Sequence, residues 1–122
     1  MSYPGEALPV IRAEFRGISG VSGLALDQII ADTGADTSVL PWAECQKMRL
    51  DPASGVPGMM SGVAGGAANT LGFLVWDYLD GNEYQCQLHA DFVGNERILG
   101  RDVLNSLDVL FRGPSGEVII NP

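Results

Sequence analysis

Basic residues are scarce in this chain: 7 Lys and Arg stand against 15 Asp and Glu over 122 residues, a net charge of −8. That balance excludes the basic face of a nucleic-acid-binding domain, so no nucleic-acid partner is expected. Peptide substrates stay open, because a net charge of this size also serves solubility. Long hydrophobic runs are missing as well. No apolar stretch approaches the roughly 18–20 residues needed to span a bilayer as a helix. Residues 1–6 (Met-Ser-Tyr-Pro-Gly-Glu) carry no basic segment leading into an apolar one, and a signal peptide is not expected. The chain reads as a soluble segment without membrane contact of its own, compatible with its being a piece of a longer, anchored protein. Its compartment is not legible.

Histidine and cysteine are nearly absent. With His89 alone and no serine in a nucleophile-elbow setting, Ser-His-Asp chemistry lacks its parts. Cys86 and His89, three positions apart on an expected strand, face opposite ways, which argues against a metal site. No metal and no organic cofactor is expected. Cys45 and Cys86 read as free buried thiols, with a disulfide between them left open because its geometry is not readable from sequence. Internal repeats are also missing.

What is present is turn-rich and apolar: 46% hydrophobic residues, 16 Gly and 7 Pro. The composition is globular, and the length fits one domain over residues 1–122. Strands are expected at residues 9–17 and 24–31 around a glycine turn at 17–23, with a short helix at 42–48 that Pro41 opens from the first helical position. Residues 53–70, dominated by small residues, read as a long mobile hairpin tip with Met59, Met60 and Val63 as its main apolar contacts. Residues 71–79 and 82–93 then flank Asp80-Gly81, a strong two-residue hairpin turn. In the second of these strands Tyr84, Cys86, Leu88, Ala90 and Phe92 alternate with Glu83, Gln85, Gln87, His89 and Asp91, one face buried and one wet. A buried run at 98–100 precedes a short helix near 102–106, and strands at 108–112 and 117–121 close the chain around a 113–116 turn. Many short strands predict an all-β domain, a small closed β-barrel.

One segment carries chemistry. The apolar Ile29-Ile30-Ala31 runs into Asp32-Thr33-Gly34 and continues as Ala35-Asp36-Thr37-Ser38-Val39-Leu40. A strand thereby delivers a carboxylate onto a tight turn, where glycine lets its own amide point back at the carboxylate. The segment from Asp32 to Leu40 closely resembles the active-site stretch of retroviral-type aspartic proteases, the retropepsins. Two further matches accompany it. Ile98-Leu99-Gly100-Arg101-Asp102 resembles the apolar-apolar-Gly-Arg-Asp/Asn element that those enzymes place behind the catalytic loop. Gly62-Val63-Ala64-Gly65-Gly66 sits where they carry a glycine-rich flap, with Val63 as the apolar tip residue. The resemblance spans residues 29–113, and residues 104–113 are similar to the end of small prokaryotic members.

The resemblance implies a retropepsin-type barrel with one or two short helices and a flap hairpin. It implies Asp32 as catalyst and Thr33, Gly34 and Ala35 as its loop, with the Thr33 hydroxyl linking two such loops. Arg101 would pair with Asp36 and brace the site. Met60, Gly62, Val63, Ala64 and Gly65 would contact substrate. No second Asp-Thr-Gly or Asp-Ser-Gly occurs, so the second aspartate of the family's dyad would come from a second copy in a homodimer. Residues 117–121 would contribute to the interface sheet. The implied function is peptide-bond hydrolysis by an aspartic endopeptidase acting on protein or peptide substrates. The alternative is a non-catalytic dimerisation or peptide-binding module on the same fold.

Three departures stand out. Ala64 interrupts the usual Gly-x-Gly-Gly flap tip, which bears on closure. Thr37 stands where many retroviral enzymes carry a second Asp, removing a charge from the substrate-facing wall. Ala35 stands where pepsin-like enzymes carry Ser, whose hydroxyl favours the ionised aspartate; its absence predicts activity at mildly acidic to near-neutral pH.

Overall fold

The computed structural model describes residues 9–17, 23–61 and 67–121. The expected turn after the first strand lies largely outside them. Alternation of apolar and polar side chains drives the strands. In β1 (Val10–Gly17) Ile11, Ala13 and Phe15 point inward, and in β2 (Gly23–Ala31) Leu26, Ile29 and Ala31 do. A register shift between Ile11 and Ala13 bends this antiparallel pair. The chain then forms β3 (Ser38–Pro41), α1 (Trp42–Lys47), β4 (Val56–Ser61), β5 (Ala67–Leu79), β6 (Asn82–Asp91), β7 (Ile98–Leu99) and α2 (Arg101–Leu104). Two last strands, β8 (Val109–Arg112) and β9 (Glu117–Ile120), make a separate antiparallel pair.

Closure is the main architectural fact. The larger sheet runs β1-β2-β7-β3-β6-β5-β4, and β1 also pairs with β5. Six strands therefore close on themselves, removing their open edges, while β4 hangs outside on β5. Phe15, Ile29, Leu40, Val75, Leu88, Leu99 and Val103 fill the interior and are fully buried. Each contributes about 1.5–3 kcal/mol by leaving water. Trp42 covers one end, packed on Phe73 and on the half-exposed Phe92. Arg97 ties α1 to β2: its Nε donates to Glu44 Oε1 at 2.7 Å and its Nη1 to the Asp27 carbonyl at 2.8 Å. No helix of the described residues is long and apolar enough to cross a membrane.

The Asp80-Gly81 turn forms as expected, with φ of 53° and 77° at its two positions. Left-handed geometry at both matches the twist of the flanking strands. Elsewhere the structure corrects the sequence reading. Residues 56–61 and 67–70 belong to a paired ribbon, β4 against β5 from Val56↔Gly72 to Ser61↔Ala67, while residues 62–66 of the expected tip lie outside the described residues. Small side chains there permit pairing instead of preventing it. Pro41 is extended (φ −57°, ψ 145°) and ends β3, so it precedes the helix instead of occupying its first turn. Phe92 leaves the inward row because β6 stops at Asp91, whose Oδ1 accepts from the Val93 and Gly94 amides at 3.0 Å and turns the chain. His89 is half-buried, not on a fully wet face. Both cysteines are free and buried, and burial pushes the Cys45 thiol up to about 12.

Candidate active site

Asp32 sits where β2 ends, and three backbone bonds fix its loop. Its amide donates to the Leu99 carbonyl at 3.0 Å, Ala35 N donates to Asp32 O at 3.2 Å, and Arg101 N donates to Ala35 O at 2.8 Å. The two apolar runs thus hold the turn from behind: Ile30 and Ala31 of β2 lie parallel to Ile98 and Leu99 of β7. Gly34 N donates to Asp32 Oδ1 at 2.9 Å, the carboxylate-directed amide that the motif suggested. A Cβ at Gly34 would stand 3.2 Å from the same oxygen. Asp32 is partly exposed, and Thr33 and Gly34 are exposed, so the carboxylate is reachable from outside the barrel.

Gly100 packs directly against backbone. A Cβ there would meet the Thr37 carbonyl oxygen at 2.4 Å and the Ala35 carbonyl oxygen at 2.9 Å. Both are backbone atoms of the Asp32 loop, which cannot yield cheaply. Gly100→Ala should therefore shift the loop and cost about 1–3 kcal/mol of stability. A thermal-unfolding midpoint unchanged from wild type would contradict this.

Beneath the loop lies a polar network that sequence reasoning missed. Ser38, fully buried, accepts from Gly100 N at 3.0 Å and donates to Asp102 Oδ1 at 2.9 Å. Asp102 Oδ2 in turn accepts from Gln87 N at 2.9 Å. The network ties β3, α2 and β6 together behind the Asp32 loop. Its one sequence signal is a serine among apolar residues, Ser38-Val39-Leu40. Arg101 does reach Asp36 in an ion pair. Both side chains are substantially exposed, so its stabilising worth is about 0–1 kcal/mol. Met60 lies on β4, opposite Ala68; Gly62, Val63, Ala64 and Gly65 lie outside the described residues.

A second missed residue is Asp77. It falls in the inward row of β5 with Phe73, Val75 and Leu79, and it is completely buried. Neither of its carboxylate oxygens has a hydrogen-bond partner. Burial first, and the nearby Asp102 charge second, push its carboxyl up to about 7. The signal was available in the alternation of residues 73–79, where one inward position carries a charge-capable side chain.

A closed six-stranded barrel with two short helices is a retropepsin-type fold, and this chain has it. Among solved structures it is similar to the EIAV protease, a retroviral enzyme, in complex with the inhibitor HBY-793. The match has 26% identity and a TM-score of 0.63, and covers 87% of this chain and 93% of that one. No protein-family model matches the chain, and neither does any curated protein sequence.

Proposed function

We propose that this chain is an aspartic endopeptidase acting as a homodimer, one domain over residues 1–122, with Asp32 of each copy forming the catalytic dyad. The observation that carries the reading is Asp32 itself: a partly exposed carboxylate on a braced glycine turn of a retropepsin-type barrel. Two carboxylates about 3 Å apart cannot both ionise easily and share one proton. The ionised member takes a proton from water as that water attacks the peptide carbonyl, while the protonated member donates to the carbonyl oxygen. Collapse of the tetrahedral intermediate then returns a proton to the leaving amine. No covalent enzyme intermediate and no cofactor is required.

The remaining residues take supporting roles in this reading. Thr33 links the two loops across the dimer, and Gly34 and Ala35 shape the turn. Arg101 and Asp36 brace it, with Ser38 and Asp102 beneath. The β4–β5 hairpin acts as the flap, with Met60, Gly62, Val63, Ala64 and Gly65 toward the substrate. An extended peptide is gripped by backbone hydrogen bonds along it. The β8–β9 pair, with Leu110 and Phe111 about 40% exposed, supplies interface surface.

The deciding experiment is digestion of a diverse peptide mixture by wild type and Asp32→Asn, with solution mass followed against concentration. A tight dimer that cleaves nothing at any pH would favour the non-catalytic binding module. The pH–rate profile should peak at mildly acidic to near-neutral pH, and Ala35→Ser should move it toward acid, because the added hydroxyl favours an ionised carboxylate. A wild-type optimum in strong acid would contradict this.

A further inference from the structure

β4 is the strand of the larger sheet that takes no part in closing the barrel; its pairing is with β5. β5 itself leaves the barrel at Thr70, the last of its residues paired with β6, opposite Asp91. Ala67, Ala68 and Asn69 pair with β4 instead. The orientation of the hairpin therefore depends on what holds its root at Thr70.

His89 is placed to do that. It stands opposite Gly72 on β5, and Gly58 of β4 stands opposite Thr70. Strand alternation puts these four residues on one face of the sheet. The imidazole reaches diagonally over Gly72, and its Nδ1 lies 3.1 Å from Thr70 Oγ1. A Cβ at Gly72 would touch the ring at 3.5 Å, and one at Gly58 would meet it at 4.0 Å. One ring thus spans three strands, from the barrel strand β6 across β5 to β4. Thr70 is 3% exposed, so its hydroxyl has little water to fall back on. A threonine hydroxyl both donates and accepts, so the bond forms with Nδ1 as acceptor or as donor. The charged ring is not required.

We infer that His89 is a positioning residue that pins the root of the β4–β5 hairpin to the barrel, and so sets how firmly the hairpin closes on a bound peptide. The pin stands on the geometry alone; its effect on peptide binding rests on the protease reading.

Thr70→Val, which removes the hydroxyl and keeps the shape, and His89→Ala test it in the full chain. Hydrogen exchange should show the amides of β4 and of residues 67–69 losing about 3–10-fold in protection, the scale of one hydrogen bond, with β1 and β2 unchanged. In peptide cleavage KM should rise by a similar factor while kcat stays within about twofold, the signature of lost binding common to ground and transition states. His89→Asn, whose side-chain amide can take the place of Nδ1, should recover most of both effects. Unchanged protection in β4, or an equal loss throughout the barrel, would overturn the pin. An unchanged KM in active variants would overturn its role in substrate grip. If wild type cleaves no peptide the protease reading fails, and hydrogen exchange still decides the pin.

Discussion

Asp32→Asn is expected to abolish peptide hydrolysis and leave the folded dimer in place. The substitution keeps the side chain's shape, and an amide oxygen can still accept the Gly34 N–H now at 2.9 Å. The loop's other anchors, Asp32 N to Leu99 O and Arg101 N to Ala35 O, are backbone bonds that the change does not touch. What disappears is the titratable proton. Positioned acid–base groups contribute about 10²–10⁴-fold each, and a homodimer of variant chains loses both members of its dyad. Cleavage should fall by about 10⁴-fold or more, below detection in a peptide digest. Mixing sharpens the test. An equal amount of exchanging variant draws about half of the wild-type chains into mixed dimers, so activity should fall to about half. Activity that ignores the added variant means each chain works alone, and persistent proteolysis in the purified variant would falsify the assignment of Asp32.

The second large effect concerns stability. Asp77 is fully buried, opposite Phe15 on β1 and Tyr84 on β6, without a partner for either oxygen. Its carboxyl is raised from an ordinary 3.8 to about 7 by burial and by Asp102. Between those values the folded chain holds a proton that the unfolded chain has released. Stability is therefore full below about 3.8 and declines as pH rises to about 7, levelling off above. Integrated over that window the loss is on the order of 4 kcal/mol, a large share of a typical domain's stability. Asp77→Asn removes the titration and keeps the size. Urea unfolding of both proteins should give similar stability near pH 4 and a clear advantage for the variant near pH 8. Taking the difference between the two proteins cancels the contributions of groups that do not interact with Asp77. A difference that does not change with pH would rule out a buried, proton-holding Asp77.

Local signals made much of this fold legible. Asp80-Gly81 fixed a hairpin because the backbone geometry of two adjacent residues decides the turn. The period-two row of residues 84–90 fixed which face of its strand goes inward. The strand before Asp32 and the glycine after it fixed the carboxylate-directed amide. Where reading failed, a distant partner was deciding. β3 was not foreseen, since its four residues become a strand only by joining β6 and β7. Ser38 and Asp102 meet across 64 positions, and neither residue's neighbours announce the other.

By itself, then, the sequence determined that this is a small all-β domain carrying one aspartate on a glycine turn, because alternation, turns and the motif are all local. Tertiary structure decided the rest: barrel closure through β1 and β5, the Ser38–Asp102 brace behind the turn, His89 at the hairpin root, and an unpartnered Asp77 inside the barrel. Each of these depends on strands far apart in sequence lying side by side, and the loop entropy of joining them is offset only when the whole core closes.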